Sequence, residues 1–85
     1  MWSEKYPELK TFIDEEVTPI ADPYGLTYIN HLDRAWYEYG YEGIYMQLPY
    51  IAANLRRGNR KIEEQLIVWS KRIKADQETK ETTNG

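Results

Sequence analysis

The clearest helical pattern in this chain lies in residues 59–73, which read NRKIEEQLIVWSKRI. Its large apolar residues recur at steps of three and four, the spacing that places side chains on one face of an α-helix. Asn59 is a residue type that caps helix N-termini well, so the helix is expected to begin just after it. The apolar stripe that would face a core comprises Ile62, Leu66, Trp69 and Ile73.

Similar stripes occur in residues 9–20, 26–36 and 44–55. Pro7 is expected in the opening turn of the first of these helices, where its missing N–H is not needed. Gly40 follows the second helix, as helix ends favour. The sequence contains no sustained alternation of polar and apolar residues, so no strand is predicted. We therefore predict an all-α fold, a compact bundle of about four short helices.

Pro49 interrupts the third stripe. A proline inside a helix lacks the N–H that would bond the carbonyl four residues earlier, here that of Tyr45, and costs ~3 kcal/mol in a regular helix. The third helix is therefore expected to be kinked at Pro49, or to be broken into two short helices with Pro49 opening the second.

The chain has 85 residues, a length that fits one domain with one core. Beyond Lys74 it has no large apolar residue. We therefore predict a single helical domain over residues 1–74 and a disordered tail over residues 75–85. The core is expected to include Phe12, Ile13, Val17, Leu32, Trp36, Ile44, Leu48, Ile51, Leu55, Leu66, Trp69 and Ile73.

The chain contains no cysteine, which excludes disulfides, thiolate metal sites and cysteine nucleophiles. Small secreted domains often need disulfides, so this composition favours the cytoplasm. The longest apolar run, residues 66–69, is far too short to cross a bilayer, and no membrane partner is expected.

His31 is the single histidine, and no arrangement around it predicts catalysis. Asp33 lies two positions away, and side chains at that spacing on a helix do not face each other. With no second histidine and no cysteine, the familiar metal motifs are absent from the sequence. We therefore predict that the chain is not an enzyme and holds no metal or cofactor.

Charge is distributed unevenly along the chain. Residues 1–50 carry a net charge of −6, whereas residues 51–75 carry +5. The acidic run of residues 14–16 is expected to be solvated or to pair with the basic half, since three consecutive helical residues point in three directions. The basic half contains the candidate partner-binding cations Arg56, Arg57, Arg60, Lys61, Lys71 and Arg72.

Tyrosines make a second candidate surface. The chain has eight, and a domain of this size cannot bury them all. Exposed aromatic rings are typical of protein interfaces. The tyrosines predicted to bind a partner cluster around Gly40 and are Tyr37, Tyr39, Tyr41 and Tyr45, with Tyr50 nearby.

These features favour a non-catalytic protein-binding module, an adaptor, regulator or inhibitor. Small size, acidic charge and many tyrosines are typical of small regulatory proteins, many of them from phages and mobile elements. The alternative is a nucleic-acid-binding regulator that uses the basic turn 56–61 and the last helix. A homo-oligomer also stays open, with acidic and basic halves pairing antiparallel across a two-fold axis.

The basic turn can be tested by reversing two of its charges, Arg57→Glu with Arg60→Glu. If the turn contacts the partner, the variant should stay folded and lose binding, and wild-type binding should weaken as salt rises. Pull-down of the partner and circular dichroism measure the two properties. A variant that binds normally, or that unfolds, would show that the turn is structural.

Overall fold

The computed structural model describes the backbone of residues 1–21, 25–55 and 59–84, and the side chains of these ranges except 25–27 and 80–84. No described residue lies in a β-strand, which confirms the all-α prediction. The described ranges contain five α-helices and one π-helical segment. In chain order these are α1 (Trp2–Lys5), α2 (Pro7–Phe12), the π-helical segment (Ile13–Val17), α3 (Gly25–Tyr39), α4 (Tyr41–Asn54) and α5 (Arg60–Asn84).

Helix α2 and the π-helical segment together form the first helix that the sequence predicts. Pro7 lies in the opening turn of α2, as expected. At the other end the N–H of Thr18 donates to the carbonyl of Ile13, five residues back, at 2.8 Å. Ile13 and Val17 are both buried, so this wider turn still presents apolar side chains to the core.

Helix α1 is not predicted by the apolar pattern, because a single turn is too short to show a stripe. It nevertheless carries Trp2, whose side chain is 0% exposed. The indole Nε1–H of Trp2 donates to Oδ1 of Asp33 on α3 at 2.7 Å. A buried indole normally needs such an acceptor, and Asp33 provides it at the edge of the core.

Helices α3 and α4 form a hairpin joined by Gly40 alone. Gly40 has φ 66° and ψ −137°, a combination that side chains with a Cβ rarely adopt. Three residues later, a Cβ at Gly43 would lie 2.2 Å from the carbonyl oxygen of Ala35. The two helices therefore touch through their backbones, which holds the hairpin in one arrangement.

Helix α4 is continuous through Pro49, so of the two alternatives, a kink or a break into two short helices, the break does not occur. The carbonyl of Tyr45, which loses its helical donor to the proline, accepts a hydrogen bond from Oγ of Ser70 on α5 at 2.6 Å. Ser70 is buried among apolar residues. A side chain of the neighbouring helix thus replaces the missing N–H, and α4 continues.

Helix α5 continues to Asn84, past residue 74 where the predicted domain ends. Its extension is anchored by Asp76, whose Oδ2 accepts a hydrogen bond from the hydroxyl of Tyr6 at 2.6 Å. Burial, followed by this hydrogen bond, raises the pKa of Tyr6. The polar residues beyond Ile73 therefore extend a helix whose first additional turn contacts the N-terminal region.

Most of the predicted core is buried. The buried members are Ile13, Val17, Leu32, Ile44, Leu48, Ile51, Leu55, Leu66 and Ile73. Phe12, Trp36 and Trp69 are half-buried and pack against the core from outside. Trp2 and Tyr6 are buried without having been predicted, and Tyr6 meets Trp69 edge-on with ring centroids 6.0 Å apart.

Trp2→Ala should destabilise the domain more than Trp36→Ala, because Trp2 is completely buried and Trp36 only half-buried. Removing a fully buried tryptophan costs about 3–5 kcal/mol, most of the stability expected of so small a domain. Urea unfolding followed by far-UV circular dichroism measures both variants. A Trp2→Ala variant as stable as wild type would contradict the burial of this side chain.

Ser70→Ala should destabilise the wild-type chain by about 1–3 kcal/mol, because it removes the donor to a partly buried carbonyl. In a Pro49→Ala background the backbone N–H of residue 49 can bond the same carbonyl. The destabilisation caused by Ser70→Ala should therefore be smaller there than in wild type, by about 1 kcal/mol or more. A double-mutant cycle in urea measures this coupling. Equal costs in both backgrounds would show that Ser70 does not replace the missing N–H.

Candidate functional site

A groove lies between α3 and α4 on the surface of their hairpin. Its volume is about 200 Å³, and its lining comprises Ala35, Tyr39, Glu42, Gly43, Met46 and Gln47. Ala35 and Gly43 are buried where the helices touch, so they form the base of the groove. Pockets for small molecules usually exceed about 300 Å³, so this groove is smaller than a usual small-molecule site.

Two large side chains that line this groove, and a third one turn further along α4, stay exposed. The exposed fractions are 68% for Tyr39, 62% for Met46 and 59% for Tyr50. Met46 and Tyr50 are one turn apart on α4 and therefore share its outer face, opposite the buried stripe. We call Tyr39, Met46 and Tyr50 the Tyr39–Tyr50 patch.

Two of the tyrosines predicted to bind a partner are half-buried instead. Tyr41 packs edge-on against Trp36 with ring centroids 5.2 Å apart. The Lys5 ammonium lies 5.4 Å from the ring centroid of Tyr41, and a hydrogen bond with that hydroxyl raises the pKa of Lys5. Tyr45 lies below Lys74, whose Nζ is 5.9 Å from the ring centroid. These rings cover the core edge and offer less surface to a partner.

Tyr37 is 89% exposed but does not join the patch. It precedes Tyr39 by two residues, so its side chain leaves α3 roughly 200° away around the helix axis. Of the four tyrosines in the prediction, only Tyr39 lines the groove between α3 and α4.

The basic residues predicted to bind a partner likewise do not share one surface. Arg56 and Arg57 lie outside the described residues. Arg60 and Lys61 open α5 and are exposed, but as consecutive residues they point about 100° apart. The structure therefore does not bring Arg60 and Lys61 onto one face.

The cations further along α5 also separate. Lys71 is exposed on the face of Arg60, since eleven residues make close to three whole turns. Arg72 instead lies over Trp69, with its Cζ 4.7 Å from the ring centroid. A contiguous cationic surface is therefore not formed by the described members of the predicted set.

The acidic run does not form ion pairs with α5 among the described side chains. Asp14 pairs with Lys10 on its own helix, whereas Glu15 and Glu16 are exposed. Glu16 and Lys61 do line a common groove of about 350 Å³ together with apolar side chains of α2 and α5. The two halves of the chain thus lie side by side without the mutual neutralisation that their charges allow.

No protein-family model, curated protein or solved structure matches this chain. The function therefore has to be argued from the side chains and surfaces themselves. The Tyr39–Tyr50 patch and the outer face of α5 are the features that bear on it.

His31 is exposed, and Asp33 is engaged elsewhere, by the indole of Trp2. Within the described residues, no three metal-ligating side chains come together. The described helices likewise include none that is both long and apolar enough to span a membrane.

Met46 and Tyr50 are missing from the sequence-predicted site, although the sequence contains a signal for them. The core stripe of α4 already accounts for Ile44, Leu48 and Ile51. Two large apolar residues left over at a spacing of four must share the opposite face of the same helix. Subtracting the core stripe from the apolar residues would have identified this pair.

Proposed function

We propose that this protein is a cytoplasmic, non-catalytic protein-binding module, which acts as an adaptor, regulator or inhibitor. It contacts its partner through the Tyr39–Tyr50 patch. The observation that carries the proposal is the exposure of Tyr39 and Met46 along one groove, with Tyr50 exposed one turn further along α4. Aromatic residues and methionine are enriched at protein interfaces. They contribute much of the binding energy when a partner covers them.

The rigidity of the hairpin supports this proposal. Tyr39 precedes the single linking residue Gly40, and Met46 follows the backbone contact at Gly43. Both side chains are therefore held on elements with little freedom to move relative to each other. Such preorganisation lowers the entropy lost on binding.

A nucleic-acid-binding regulator is the second candidate, favoured by the exposed cations of α5. Arg60, Lys61 and Lys71 form no ion pair with another described side chain. However, Arg60 and Lys61 diverge around the helix, and Glu63 and Glu64 lie between them and Lys71. A phosphate backbone would meet carboxylates as well as cations there, so we place this candidate second.

The proposal is tested by a Tyr39→Ser, Met46→Ser double variant, with Tyr37→Ser as the matched control. All three side chains are more than half exposed, so the substitutions should leave the fold intact. Pull-downs from native-host lysate should recover a protein with wild type and with Tyr37→Ser, and lose it with the double variant. Circular dichroism checks that every variant is folded.

Nuclease treatment of the lysate separates the two candidate functions. Recovery of the same protein after treatment is expected for a protein-binding module. Recovery that depends on intact nucleic acid would favour the second candidate. Equal recovery with the folded double variant would remove the Tyr39–Tyr50 patch as the contact surface.

A further inference from the structure

The outer face of α5 is left uncovered by the other described elements. A shallow groove on this face is lined by α5 residues alone, namely Arg60, Glu63, Glu64, Ile67, Val68 and Lys71. Val68 is 61% exposed, whereas Leu66 and Ile73 on the opposite side are fully buried. Ile67 is half-buried because it packs partly against the core, and its remaining surface lies beside Val68 in this groove. The helix thus has a buried apolar stripe and a smaller apolar surface on its outer side.

Two of the four charges on this face, those of Glu64 and Lys71, are arranged symmetrically about the apolar pair. Glu64 lies three residues before Ile67, and Lys71 lies three residues after Val68. Each charge is therefore about one helical turn from the middle of the pair, on the same side of the helix. The pattern is self-complementary: its acidic end matches its basic end after a half-turn rotation.

Within one chain these two charges do not satisfy each other. Glu64 and Lys71 are seven residues apart, about 10 Å along the helix axis, which exceeds ion-pair distance. Neither side chain forms an ion pair or hydrogen bond with another described side chain. Both are consequently free to pair with a second molecule.

We propose that two copies of this chain associate antiparallel through the outer face of α5, with Ile67 and Val68 at the two-fold axis. Glu64 of each copy then lies opposite Lys71 of the other, as an isologous interface requires. A parallel arrangement would instead place Glu64 against Glu64, so the charges select the antiparallel one. Antiparallel helix dipoles favour the same arrangement.

This interface differs from the pairing of acidic and basic halves that the charge distribution of the sequence allows. It involves one helix and its own copy, and it leaves the Tyr39–Tyr50 patch on α3 and α4 uncovered. The dimer is therefore independent of the proposed partner surface. Because the contact extends over only a few turns and depends on exposed charges, it should be weak and should dissociate at high salt.

The test uses the full chain in sedimentation equilibrium at low salt, up to millimolar concentration. Wild type should dimerise, and Glu64→Lys or Lys71→Glu alone should raise the dimer Kd by about tenfold or more, because each places like charges opposite one another. The double variant, Glu64→Lys with Lys71→Glu, should recover the dimer, since it exchanges the charges without changing their complementarity.

Mixing the two single variants gives a further check. Glu64→Lys carries only cations at these two positions and Lys71→Glu only anions, so an equimolar mixture should form a heterodimer where neither variant forms a homodimer. Arg34→Glu is the matched control, because it makes a charge reversal of the same sign at an 80% exposed side chain on α3, away from this face, and should leave the dimer intact.

Several results would overturn the proposal. A wild type that stays monomeric at millimolar concentration and low salt would do so, as would single variants that dimerise as wild type does. A folded double variant that fails to recover the dimer would do the same. Failure of this dimer leaves the pull-down experiment on the Tyr39–Tyr50 patch unaffected, since the two surfaces lie on different helices.

Discussion

The hydrogen bond from Ser70 to the carbonyl of Tyr45 joins α4 to α5 and favours one register between the two helices. These two helices form the most extensive packing in the described fold. Pro49 removes the helix's own donor to that carbonyl in the middle of the interface. Since a buried carbonyl without a donor costs about 1–3 kcal/mol, the register in which Ser70 reaches Tyr45 is favoured over one shifted by a turn. A proline in α4 thus sets the position of α5.

The N-terminal residues hold the rest of the molecule to this pair. Trp2 contacts α3 through Asp33, and Tyr6 contacts α5 through Asp76 and the ring of Trp69. Both aromatic side chains combine a buried ring with a polar atom directed to a carboxylate at the edge of the core. The short first helix therefore closes the bundle, because it fills space that α3, α4 and α5 alone leave open.

Once these inner faces are filled, the remaining apolar side chains are forced outward. Met46 and Tyr50 lie on the side of α4 away from its core stripe, and Val68 lies on the corresponding side of α5. A domain of this size has no second core in which to bury them. The two outer surfaces differ in character. The Tyr39–Tyr50 patch is aromatic and lies along a groove, whereas the apolar surface on the outer face of α5 is flanked by opposite charges. We propose the first as the contact for a different protein and the second as the contact between two copies of the chain.

Periodicity alone was sufficient to predict the all-α fold, helices over the stripes at residues 9–20, 26–36, 44–55 and 59–73, and most of the core, because a buried helix face recurs every three to four residues. It was not sufficient for Trp2, for Ser70 or for the extension of α5 to Asp76. Their hydrogen bonds join residues 31, 25 and 70 positions apart, and such contacts leave no local pattern.

The tyrosines show the same division between what the sequence determines and what the tertiary structure decides. Their number predicted an exposed aromatic surface, but the packing of Trp36, Lys5 and Lys74 decided that Tyr41 and Tyr45 would be partly covered and Tyr39 exposed, because the direction of a side chain depends on which neighbours fill the space around it.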